Sequence, residues 1–201
     1  MLGQWELGVW SYTLLSVIVV SLISFVGVIT LSMKKKVLEK VLILLVSLSA
    51  GVLLGDVFLH LIPEASQGGL DLQVSLMILV GIVVFFILEK IVCWRHCHVG
   101  HPKHQVHPYA VMNLIGDGLH NFIDGLVIAG SYLVDIRLGI ATTVAVLLHE
   151  IPQEIGDFGV LLHGGFKKSK AIMFNFLTAF TAVIGAVVAL VMSQSVMALP
   201  A

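Results

Sequence analysis

Six apolar segments alternate with short polar links along the chain, at Tyr12–Met33, Val37–Ile62, Leu72–Val92, Tyr109–Leu133, Leu138–Leu162 and Ala171–Met192. Each is close to the ~20 residues that a helix needs to cross a bilayer. The pattern predicts an all-α, polytopic membrane helix bundle, a single transmembrane domain over residues 1–201 with six transmembrane helices. The fourth and fifth segments break the pattern from within. Along the fourth, Asn113, Asp117, His120 and Asp124 recur at i, i+4, i+7 and i+11, drawing one polar stripe down an apolar helix. Along the fifth, His149, Gln153 and Asp157 fall at i, i+4 and i+8, with Glu150 and Glu154 on the adjacent row. The link Val134–Arg137 is short, so these helices are expected to be antiparallel neighbours whose stripes meet. Pro152 lacks a backbone donor, and a kink is expected there that opens the helix toward the site.

The second segment adds Asp56, His60 and Glu64 at i, i+4 and i+8, with Pro63 expected to end the helix. This row reads as an entrance or a third wall. The first segment offers only Ser and Thr, and the sixth offers Asn175, Thr178 and Thr181, which read as small packing groups common between membrane helices.

Composition agrees with this picture. Of the 201 residues 58% are apolar and 11% charged, and the mean hydropathy is +1.05, values that exclude a soluble globular domain. The first segment has neither a basic flank nor a small-residue cleavage site, so it reads as a retained helix. Basic residues collect in cytoplasmic loops. Lys34, Lys35, Lys36, Lys40, Lys90, Arg95, Lys103, Lys167, Lys168 and Lys170 fall in alternate links or at the segment ends that border them, and only Arg137 falls on the other side. This distribution puts the N-terminus, and with six spans the C-terminus, outside the cytoplasm. Cys93 and Cys97 then lie in a reducing compartment, where a disulfide is not expected. They share the loop at 93–108 with His96, His98, His101, His104 and His107, a set able to collect a metal ion with little architecture.

The stripes pose an electrostatic problem. Asp117, Asp124, Glu150, Glu154 and Asp157 sit at membrane depth with no Lys or Arg in either segment. At about 2.5–3.5 kcal/mol per charge on the lenient insertion scale, the set would cost on the order of 15 kcal/mol. Protonation or a shared cation relieves that cost. Imidazole with carboxylate and carboxamide, and no thiolate, suits Zn²⁺ first, then Fe²⁺, Mn²⁺ or Co²⁺, and does not favour Cu(I). Two ions bridged by Glu150 or Glu154 fit the number of ligands. An intramembrane metallohydrolase is disfavoured, because the zinc-protease pattern HExxH needs histidine where this chain has Gln153. A haem site is disfavoured by the acids around His120 and His149. A metal-binding membrane subunit that does not transport is the remaining alternative.

The run His120-Asn121-Phe122-Ile123-Asp124-Gly125, followed by His149-Glu150-Ile151-Pro152-Gln153-Glu154-Ile155-Gly156-Asp157, resembles the paired signature of the ZIP family of divalent-metal transporters. The likeness extends through Gly55-Asp56 and Pro63-Glu64, the histidine-bearing loop, and Leu161-Leu162-His163-Gly164-Gly165. It implies an eight-helix ZIP-like fold built on inverted repeats, of which this chain corresponds to the first six helices and lacks the last two. It also implies transport of zinc or a similar ion into the cytoplasm, with His120, Asn121, Asp124, His149, Glu150, Gln153 and Glu154 at metal-site positions. Asp56, His60, Glu64, Asn113, Asp117 and Asp157 are expected along the pathway. The expected partners are divalent metal ions, the lipid bilayer and further copies of the chain in a homo-oligomer, with no nucleic acid. One departure stands out: the branch with this long motif usually carries histidine where Gln153 stands, and a carboxamide oxygen is a weaker ligand.

Overall fold

The computed structural model describes residues 2–25, 57–66, 69–98 and 106–197, together with single positions between 37 and 55. All regular structure among them is helical. In chain order these are α1 (Leu2–Leu22), a π-helical turn (Val57–Leu61) running into the short α2 (Ile62–Ala65), α3 (Leu72–His98), α4 (Pro108–Val134), α5 (Ile136–His163), α6 (Lys168–Ala179) and α7 (Thr181–Met197).

Three stretches, Leu7–Phe25, Leu72–Ile91 and Lys168–Ser193, are long and apolar enough to cross a membrane. With the apolar side chains left on the surface of α3, they mark an integral membrane protein.

Several boundaries differ from those expected. The first helix starts at Leu2, ten residues before Tyr12, because no proline or polar turn interrupts the sequence there. The third runs on to His98, since Gly100 and Pro102 are the first breakers after Val92. Cys93, His96, Cys97 and His98 are therefore on helical backbone and not in the loop assigned to 93–108. Pro63 does not end a helix. It is the second residue of α2, which follows the π turn without a break and closes two residues further on, at Ala65. The sixth segment is two helices, parted at Phe180. Thr178 Oγ1 donates to the carbonyls of Phe174 and Asn175, and Thr181 Oγ1 to those of Thr178 and Gly118. Hydroxyls that bond back to the preceding turn in this way bend helices.

α4 is the hub. It packs most extensively on α7 and α5, and further on α6, α1 and α3. Its crossing with α7 is built from small residues: a methyl group at Gly125 would overlap the Ala182 carbonyl, and one at Gly185 the Phe122 carbonyl. Ala129, Ala182 and Ala186, all fully buried, continue the seam. Around it Val9, Val17 and Val20 of α1, Ile128 and Tyr132 of α4, Val146 of α5 and Leu190 of α7 form the apolar core. Tyr132 is buried by this core, yet its hydroxyl still reaches Ser16 Oγ at 2.8 Å, and Thr143 Oγ1 at 3.5 Å.

One residue joins α4 to α5. Asp135 is extended (φ −159, ψ 141), and its carboxylate caps the next helix by accepting from the N–H groups of Arg137 at 2.7 Å and Leu138 at 3.3 Å. The link forces an antiparallel pair and so puts the two polar stripes face to face.

Candidate metal centre

The register of the hairpin decides which polar residues meet. Asp124 and His149 lie ten or more residues from Asp135 on opposite arms, and His120 and Glu150 fall beside them. The ligand atoms of His120, Asp124, His149 and Glu150 all lie within 4.8 Å of one another. His120 Nε2 is 3.3 Å from Glu150 Oε1 and 3.7 Å from Asp124 Oδ2. His149 Nε2 is 3.2 Å from Asp124 Oδ2 and 3.7 Å from Glu150 Oε1. These four spacings of 3.2–3.7 Å are close to the roughly 3.4 Å that separates two donors bonded to one zinc ion.

The protonation pattern also suits a cation. His149 Nδ1 lies 3.2 Å from the Ala145 carbonyl, an acceptor that favours a proton on Nδ1 when an ion occupies the other nitrogen. Nε2 faces the cluster, and a backbone carbonyl behind the other ring nitrogen is the arrangement that outer partners impose on metal-binding imidazoles. Glu150 is 1% exposed, whereas the side chains of His120 and His149 keep 17% and 26% of their surface. The acid is held dry while the imidazoles remain within reach of an incoming ion.

A second group of polar residues extends from the first. Asn121 Nδ2 donates to Asp117 Oδ1 at 2.8 Å and to the Asp117 carbonyl at 3.2 Å. Asp117 and Glu154 lie near enough to each other, and each to Glu150 and Asp157, for charges on them to interact. Asp117 Oδ2, Asn121 Oδ1, Glu150 Oε2, Glu154 Oε1 and both amide atoms of Gln153 are buried without a hydrogen-bond partner among the described residues. Orphaned acceptors in such number are costly in a dry interior, and a cation satisfies several at once. Beside them a cavity of ≈ 510 Å³ opens between the π turn, α3, α4 and α5. Val57 and Phe85 form its apolar wall, and Asn113, Asp117, His120, Gln153 and Asp157 its polar one.

The residues expected from the sequence thus divide. His120, Asp124, His149 and Glu150 converge, and Asn113, Asn121, Gln153 and Asp157 are placed around or beside them. Glu154 stands outside the quartet and bonds instead to Asn175 of α6. Asp56, His101 and His104 lie outside the described residues, as do the side chains of His60, Glu64, Cys93, His96, Cys97 and His98. His107 is away from the cluster. Its ring stacks on Tyr109 with centroids 5.4 Å apart, and its backbone N–H donates to the Gly164 carbonyl at 2.8 Å. Pro152 sits inside α5, which remains one helix through it.

Asn175 is the site residue that sequence reasoning missed. It is fully buried, and its amide reaches Glu154 Oε2 and, at 3.4 Å, the Ser24 carbonyl. The only signal was an amide in an apolar segment, a residue type that membrane helices also use for packing.

Comparison with known proteins agrees with the geometry. The chain matches the family described as ZIP zinc transporter over residues 7–108 and 94–200. It is similar to zinc transporter ZIP13 of Pongo abelii, 39% identical over 155 residues, covering 71% of this chain and 46% of the relative. The zinc transporter ZIP13 homolog of Drosophila melanogaster is 31% identical over 252 aligned residues, covering 90% of this chain and 71% of the relative. Zinc transporter YKE4 of Saccharomyces cerevisiae is 37% identical over 161 residues, covering 71% and 46%. The chain therefore spans about half the length of the orangutan and yeast proteins. No solved structure matches it. These relatives are named as transporters and not as enzymes, in keeping with the incomplete zinc-protease pattern. With the family matched along nearly its whole length and the paired His/Asp and His/Glu motifs meeting across one hairpin, the chain belongs to the ZIP zinc transporter family.

Proposed function

We propose that this chain carries Zn²⁺ across the membrane toward the cytoplasm, binding it in passage at His120, Asp124, His149 and Glu150. The observation that carries the reading is the convergence of those four ligand atoms within 4.8 Å of one another, with no Lys or Arg in either surrounding segment. The relatives' names supply zinc as the cargo. The donor set would also accept Fe²⁺, Mn²⁺ or Co²⁺.

In this reading the chain crosses the bilayer six times with its N-terminus outside, an orientation supported by the ten basic residues in alternate links. The ion enters past Asp56, His60 and Glu64 and exchanges its water for the quartet. It passes Asn121, Gln153 and Glu154 with Asn113, Asp117 and Asp157 alongside, then leaves toward Cys93, His96, Cys97, His98, His101, His104 and His107. Mixed nitrogen and oxygen ligands suit this task, since a site in a pathway must release what it binds. Polar surface left over on the bundle is covered by a second copy of the chain.

Zinc uptake into proteoliposomes tests the reading. His120→Ala and Glu150→Ala are expected to abolish uptake while membrane insertion persists. Uptake at the native rate by both variants would refute the assignment, and zinc binding without uptake by the native chain would identify a metal-binding subunit instead.

A further inference from the structure

One end of the Asn175 amide is surrounded only by acceptors: Glu154 Oε2, the Ser24 carbonyl at 3.4 Å and the Glu154 carbonyl at 3.5 Å. Only an NH₂ group is stable in that setting, so Nδ2 faces Glu154 and engages one of its two oxygens. The other oxygen, Oε1, is buried with no hydrogen-bond partner. It belongs to a carboxylate that interacts with those of Asp117, Glu150 and Asp157. Asn175 itself is held from behind, because α1 supplies the Ser24 carbonyl and α6 is fully buried at this position.

We propose that Asn175 is a positioning residue that sets ion specificity: by occupying Oε2 it leaves Glu154 a single oxygen for a passing cation, so Glu154 binds as a monodentate and not a bidentate ligand. The chemistry of the two commonest competitors then separates. Zn²⁺ completes its shell with four donors, one atom from each ligand. Ca²⁺ needs six to eight oxygens and draws on bidentate carboxylates to reach that number. Glu154, restricted to one oxygen, therefore offers Ca²⁺ one donor where a free carboxylate would offer two, and still gives Zn²⁺ the single atom it takes from each ligand. The inference rests on the proposal that Glu154 lies on the ion's path.

The test uses the purified full chain in lipid nanodiscs, loaded with radioactive zinc and titrated with CaCl₂. Asn175→Leu keeps the side chain's size and removes its donors, and Asn175→Ala serves as the second variant should the first insert poorly. Loss of an outer-shell partner is expected to weaken zinc binding on the order of tenfold and to lower the CaCl₂ needed for half-displacement by a larger factor. In a Glu154→Gln background the same substitution is expected to leave the zinc-to-calcium ratio unchanged, an outcome that a packing role alone does not produce. An inserted Asn175→Leu protein with the native ratio would overturn the proposal, as would a full effect persisting beside Glu154→Gln. Native zinc retention by Glu154→Gln, together with its loss in His120→Ala, would remove Asn175's role while leaving the transport reading intact.

Discussion

Alanine at Gly125 puts a single methyl group where α4 and α7 touch backbone to backbone. The new carbon would overlap the Ala182 carbonyl oxygen, and would lie 2.7 Å from the carbonyl carbon and 2.9 Å from the Ala186 nitrogen. Carbon atoms rest at about 3.5–4.0 Å, so the helices must part by roughly an ångström. Every atom in the way is main chain, and no rotamer change relieves the clash. Overpacking of this kind costs about 1–3 kcal/mol, at the upper end where nothing can yield. Asp124, one residue away, is carried along, and displacements of about 1 Å cost on the order of 100-fold at reactive centres. Gly130 on the same helix is the control, because a methyl there meets nothing within 4 Å. Gly130→Ala is expected to be neutral or to stabilise by up to about 1 kcal/mol through helix propensity. Thermal unfolding of both variants in detergent, followed by zinc uptake, makes the comparison. A Gly125→Ala protein as stable as Gly130→Ala would refute the close helix crossing.

Three further outcomes follow from particular contacts. Gln153→His supplies an imidazole in place of two unpartnered amide atoms, and calorimetry is expected to show zinc binding tighter on the order of tenfold. Asp135→Ala removes the carboxylate that caps α5 and is expected to lower stability by about 1 kcal/mol in chemical unfolding, with Asp135→Ser recovering most of it. Tyr132→Phe leaves the Ser16 hydroxyl without its buried partner and is expected to cost about 0.5–1.5 kcal/mol, read from the same unfolding curves.

The stripes of the fourth and fifth segments made the centre legible in the sequence. Helical periodicity puts His120 beside Asp124 and His149 beside Glu150, and a link too short to wander brings the two pairs together. What the sequence hid was decided by contacts between distant elements. Asn175 bonds to Glu154 and Ser24, 21 and 151 residues away, contacts that no local pattern encodes. The break at Phe180 depends partly on a hydroxyl of Thr181 finding the Gly118 carbonyl at 2.6 Å. The extension of α3 to His98 was obscured by reading polar composition as loop, although histidine, cysteine and arginine are all tolerated in a helix that has left the apolar layer.

The one-residue joint at Asp135 has a consequence for biogenesis. Neither arm of the hairpin is among the stretches apolar enough to cross a membrane by itself, because each bears its own ionisable row. In the proposed six-span arrangement, arms tied so closely would enter lipid as a couple, each shielding the other's acids from hydrocarbon, and the nascent protein would acquire its proposed ion-binding chamber in the same step that makes it resident in the bilayer.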